Sequence, residues 1–208
     1  MPPILPLRTG WDPIPGGPNE YPADLPPDWR LAYFANAYWG VLVPTALWRQ
    51  GGVTQARIWV AETPARFRLY LDLGQAIDPG PAEIAESLAP VCAALGGRLG
   101  GLVGHRSALQ ALSHLGLGGD RLLRIPAVDA RPRVLGGLGC AWEVPAPLRR
   151  DLRGARAWIA ERAWPRLAQG TDPARQRGTP ERSAVLLGEC PFEDLARWQT
   201  LLELMGLA

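Results

Sequence analysis

The sequence predicts an α/β protein with largely parallel strands. Short apolar runs alternate with amphipathic stretches along the chain. Runs such as Val41-Leu42-Val43 and Ala184-Val185-Leu186-Leu187 carry no polar face, as in strands covered on both sides. Proline and glycine fall between these runs, where turns and caps belong. A barrel, an incomplete barrel and an open doubly wound sheet all satisfy this pattern.

The elements follow in order. Ile4 to Leu7 is expected as a first strand, ending at Thr9-Gly10. Asp12 to Pro27 is a loop around PIPGGP. Asp28 stands where an N-cap belongs, before a helix over Trp29 to Tyr38. In that helix Leu31, Phe34, Ala35 and Tyr38 share one face. Val41 to Val43 is a buried strand closed by Pro44. Ala46 to Gln50 reads as a helical turn, while Ala56 to Val60 fits either a strand or a helix. Phe67 to Leu73 alternates as a strand does. Pro81 to Leu95 is a helix, with Glu83 and Glu86 near its positive end and Gly96-Gly97 as its stop. Pro90 inside it predicts a kink or break. Leu99 to Val103 is a glycine-rich strand leading to His105, followed by a helix over Ser107 to Leu115. Arg121 to Ile125 and Val134 to Val144 are strand-like. A helix is expected over Asp151 to Leu167, with Leu152, Ala155, Ile159 and Ala163 on its apolar face. A mobile polar loop, 170–182, separates it from a strand over Ala184 to Leu187 and a last helix over Phe192 to Met205.

The chain has 208 residues, 47% of them hydrophobic and 20% charged, which suits a single α/β domain, 1–208. No run has the ~18 uninterrupted apolar residues that a membrane span needs. The first residues do not read as a signal peptide, so a cytoplasmic protein is expected. Cys92, Cys140 and Cys190 are far apart and form no CxxC, which argues against a disulfide framework or structural zinc. All 22 basic residues are arginine, which excludes lysine Schiff-base catalysis and a P-loop lysine. The formal charge of +2 gives no general pull towards nucleic acid. There is no HExxH and no GxSxG, and no GxGxxG has the context of a dinucleotide site. No cofactor and no metal are expected.

Several stretches of the N-terminal third resemble the YecE-like family, uncharacterised proteins with a TIM-barrel-like fold. A strand leads to Thr9-Gly10-Trp11. Tyr21-Pro22 precedes a helix with Leu31, Tyr33, Phe34 and Ala35, and then the strand Val41 to Val43. Trp59 precedes Glu62-Thr63-Pro64, and Phe67 leads a strand. The resemblance spans about residues 5 to 73. It implies a TIM-barrel-like fold, here incomplete or degenerate because the chain is short for the family. It also implies lost chemistry. The family's second strand reads like VE-apolar-NSTFY, but here its glutamate is Leu42 and its asparagine Pro44. The third strand commonly carries a lysine, and Asp72 stands there.

In a barrel, functional residues sit at the C-terminal ends of strands. That rule nominates Thr9, Trp11, Asp72, His105, Glu143 and Glu189 as a candidate ligand pocket, with no catalytic residue assigned. A second candidate is the arginine-rich region from Arg149 to Arg182, where nine arginines face four acids. Arg149, Arg153, Arg156, Trp158 and Trp164 have the composition of a protein-docking surface. Two functions follow. The chain is a non-catalytic accessory protein holding a protein partner through these helices. Alternatively, it binds or transforms a small anionic or polar ligand in a rebuilt acidic pocket. The substituted family positions favour the non-catalytic role.

Overall fold

A computed structural model of the chain describes residues 4–74, 81–114, 121–126, 139–162 and 183–207. Seven strands form among them: β1 (Ile4–Arg8), β2 (Gly40–Val43), β3 (Arg68–Asp72), β4 (Leu99–Gly104), β5 (Leu122–Arg124), β6 (Gly139–Glu143) and β7 (Ser183–Gly188). They pair in parallel throughout, in the order β1-β7-β6-β5-β4-β3-β2. The two ends of this order then meet. Thr9 bridges Leu42, and the Gly10 N–H donates to the Leu42 carbonyl at 2.8 Å. The result is a nearly closed TIM-barrel-like sheet, which rules out the open doubly wound alternative.

Strand alternation sorts the apolar residues into two layers. Leu5, Leu7, Leu42, Tyr70, Val103, Leu123, Ala141, Ala184 and Leu186 fill the barrel. Their neighbours in the strands, among them Val41, Val43, Leu69, Leu71, Val185 and Leu187, point outward and meet the helices. These helices are α1 (Arg30–Ala37), α2 (Thr45–Glu62), α3 (Pro81–Leu95), α4 (Arg106–His114), α5 (Leu152–Arg162) and α6 (Phe192–Leu204). Trp48, Trp59 and Trp198 are fully buried in this outer layer.

The barrel interior is narrow on its β4 side. A Cβ at Gly100 would lie 2.5 Å from the Tyr70 ring, and one at Gly101 would lie 2.1 Å from Leu123. Glycine here makes room for large neighbours on β3 and β5.

Several details differ from the sequence expectation. Asp28 caps nothing: a 3-10 turn, Pro27–Trp29, leads into α1, and its entry has no side-chain cap. The two uncertain segments around 46–60 are arms of one helical element, α2, interrupted at Gly52. Gly52 has φ 55° and ψ −151°, a conformation that favours glycine. Helix α3 runs through Pro90 as one element. Leu152 does not join the apolar face of α5; it is exposed at the first residue of the helix, while Ala155 and Ile159 are buried. The segments 163–182 and 134–138, with Trp164 and the expected polar loop, lie outside the described residues.

Candidate functional site at the barrel mouth

The alternation that fills the barrel also builds its mouth. Thr9, Asp72, His105, Glu143 and Gly188 each follow an interior residue by two positions, on β1, β3, β4, β6 and β7 respectively. All five line a cavity of about 500 Å³ at the C-terminal ends of the strands. That size lies within the usual range for small-molecule sites. Leu42, Ile125, Trp142 and Leu186 supply apolar wall.

Asp72 is the most constrained polar group here. Its carbonyl accepts hydrogen bonds from Thr45 Oγ1 at 2.8 Å and Trp48 Nε1 at 2.7 Å. Its carboxylate Oδ1 accepts from the Gly74 N–H at 2.9 Å. Burial raises the carboxyl above the ordinary aspartate range, against the lowering pull of the Gly74 N–H and of His105. His105 is half-buried and Glu143 is exposed at the rim.

Arg149 and Trp158, expected on a docking surface, instead line this cavity. Pro145 and Pro147 frame a 3-10 turn, Ala146–Arg149, that folds the chain back over the mouth after β6. Arg149 Nη1 then donates to the Glu189 carbonyl at 3.3 Å. Trp198 Nε1 holds the Arg149 carbonyl at 3.1 Å. Gly188, with φ 65°, lets the guanidinium approach: a Cβ there would stand 3.1 Å from Nη2. Arg149 Nε is buried without a hydrogen-bond partner. Trp158 packs edge-on against Trp198, with ring centroids 6.2 Å apart.

Two nominated residues lie elsewhere. Trp11 does not line the cavity; its ring is buried against Trp59, with centroids 5.7 Å apart, and its carbonyl accepts the Tyr21 hydroxyl. Glu189 is exposed, and its carbonyl rather than its carboxylate serves the mouth. The causes differ: Gly10 (φ 66°) adopts a left-handed conformation that ends the strand alternation before Trp11, whereas Glu189 has the outward parity of Val185 and Leu187. Arg153 and Arg156 are exposed on α5. Trp142 was missed, although its place one residue before Glu143 at the end of β6 was available as a signal. Among the described residues no group of three or more His, Cys, Asp or Glu could hold a metal ion, and no helix is long and apolar enough to cross a membrane.

No family model and no curated protein matches the sequence. Two crystal structures of DUF72 family proteins align with most of the chain. That from Enterococcus faecalis is 9% identical, with 97% of this chain and 98% of that chain covered and a TM-score of 0.47. That from Thermotoga maritima is 10% identical, with 95% and 99% covered and a TM-score of 0.49. DUF72 is another name for the YecE-like proteins.

Proposed function

We propose that this chain binds a small polar molecule in the cavity at the C-terminal end of its barrel, on a degenerate YecE-like scaffold. The observation that carries this is the convergence of Asp72, His105, Glu143 and Arg149, from four different parts of the barrel, on one cavity of about 500 Å³. Polar side chains set among apolar and aromatic walls are the usual composition of a small-molecule site. Of the residues expected on a docking surface, Arg149 and Trp158 line the cavity, while Arg153 and Arg156 stay exposed on α5.

The contacts among the family-like residues support the scaffold assignment. Trp11 packs on Trp59, Tyr21 binds the Trp11 carbonyl, Thr63 Oγ1 donates to the Trp59 carbonyl at 2.7 Å, and Phe34 packs on Phe67. The three motifs are thus one packing unit beside the barrel. Two of the three positions that depart from the family pattern, Leu42 and Asp72, line the cavity; Pro44 does not. A retained frame with a rebuilt polar set fits binding of a ligand different from the family's.

The test is mass spectrometry of protein purified gently from its own host, before and after denaturation. A released small molecule that is absent from an Ile125→Trp variant, whose indole fills the mouth, is the expected result. Release of nothing, or the same molecule held by the filled variant, would overturn the proposal.

A further inference from the structure

We propose that Arg149 is the anion-binding group of this cavity, and that the ligand bears a carboxylate or phosphate there and hydrogen-bond donors towards Asp72. The inference rests on the cavity being a binding site, and it assigns the chemistry of the occupant.

Position comes first. Arg149 follows β6 and lies against Gly188 at the end of β7. In the ring of strands, β3 stands across from β6 and β7. The mouth therefore has Arg149 on one side, with Glu143 of β6 at the exposed rim beside it, and Asp72 on the other, all lining one cavity. A ligand with an anionic end and a hydroxyl or ammonium end matches that polarity.

The second argument is the unbalanced charge of Arg149. Among the described residues it forms no ion pair, although Glu143 lines the same cavity. Among the described residues its side-chain partner is one neutral carbonyl, that of Glu189 on Nη1, and its Nε is buried with no acceptor. A guanidinium held in a cavity wall with so few acceptors gains most from an oxyanion, whose geometry its fork matches. The arrangement is also held in place beforehand. The Trp198 indole fixes the Arg149 backbone, and the left-handed glycine at 188 removes the side chain that would fill the space beside Nη2. Little ordering remains to be done when a ligand arrives.

Inorganic phosphate and malonate are the probes, titrated by calorimetry at low ionic strength into the folded chain and its variants. Saturable binding of at least one probe is expected, weakened about tenfold or more in Arg149→Met and Arg149→Gln, as for loss of a charge-assisted hydrogen bond. Arg153→Met, on the exposed face of α5, should leave it unchanged. Preference for phosphate or for malonate names the anion. Unchanged affinity in whichever Arg149 variant folds, or no saturable binding of either probe, would overturn the assignment. The two proposals fail separately. A neutral occupant held equally by wild type and Arg149→Met removes the anion subsite and leaves the cavity function standing. Probe binding at Arg149 in a protein that carries no occupant from its host does the opposite.

Discussion

Arg8 Nη2 donates to the Glu20 carboxylate at 3.3 Å, and their side chains are only 1% and 3% exposed. Arg8 lies at the end of β1 on the outer face, where its guanidinium stacks over Phe192 with 4.9 Å to the ring centroid. Its Nε donates to the Cys190 carbonyl at 2.8 Å, and Nη2 to the Asp12 carbonyl at 2.7 Å. The other Glu20 oxygen accepts the Phe192 N–H at the start of α6. One buried pair thus joins the first strand, the long loop after it and the last helix. Replacing Arg8 with Met strands a buried carboxylate and orphans two carbonyls, so a loss of about 3–5 kcal/mol is expected from urea unfolding. Adding Glu20→Gln to that variant should recover part of it. A loss under about 1 kcal/mol would mean that the pair is not desolvated as the structure has it.

Asp72 is expected to cost stability at neutral pH. Burial raises its folded pKa, so its proton is bound more tightly in the folded chain than in the unfolded one. The stability this group contributes is complete below the ordinary aspartate pKa of about 3.8 and is lost as pH rises through the higher folded value. Asp72→Asn keeps an oxygen for the Gly74 N–H and removes the titration. The variant should melt above the parent at pH 7, and its advantage should disappear as pH falls below about 4. Calorimetric melting across this range decides it. A variant less stable than the parent at pH 7 would show that the carboxylate has stronger partners than Gly74 and His105.

The strands were legible in the sequence because their signal is local, while the barrel itself came from the family resemblance. Runs such as Val41-Leu42-Val43 and Ala184 to Leu187 are apolar on both faces and sit in the barrel as expected. Closure was not legible, since it rests on Thr9 meeting Leu42 across a distant seam. Arg8 was missed because a charge at the end of an apolar strand normally marks exposure, and its acceptors come from residues 12, 20 and 190. At the mouth, Thr9, Asp72, His105 and Glu143 follow from strand periodicity alone. Trp11 was misplaced because left-handed Gly10 precedes it, and nothing in the composition reveals φ, while Glu189 was misplaced because it continues the outward row of Val185 and Leu187. Arg149 required knowing that a proline-framed turn folds back over the barrel.

Gly101 of β4 should differ sharply from Gly97, which precedes the strand. At Gly101 a methyl group would meet Leu123 at 2.1 Å and the Arg121 backbone oxygen at 2.8 Å, and backbone cannot rotate away. Gly101→Ala is expected to cost about 2–3 kcal/mol by overpacking. A Cβ at Gly97 has nothing within 4 Å, so Gly97→Ala should be close to neutral. Chemical unfolding of the two variants side by side tests the packing of the barrel interior. Equal effects would contradict the close approach of β3, β4 and β5.

The polar pair that the family resemblance places at 42 and 72 can be put back. Leu42 is 6% exposed on β2, and Asp72 lies on the neighbouring β3 with both lining the cavity. Leu42→Glu alone buries a carboxylate in an apolar wall beside a second acid. A loss of about 3 kcal/mol at pH 8 is expected, shrinking as pH falls and the desolvated acid takes up its proton. Asp72→Lys alone introduces a cation without a counter-charge. Together the two changes supply each other's partner, so the double variant should be more stable than the sum of the single losses predicts by about 1 kcal/mol or more. A urea double-mutant cycle measures that coupling. Strict additivity would mean that the two positions do not pair side by side at the ends of β2 and β3.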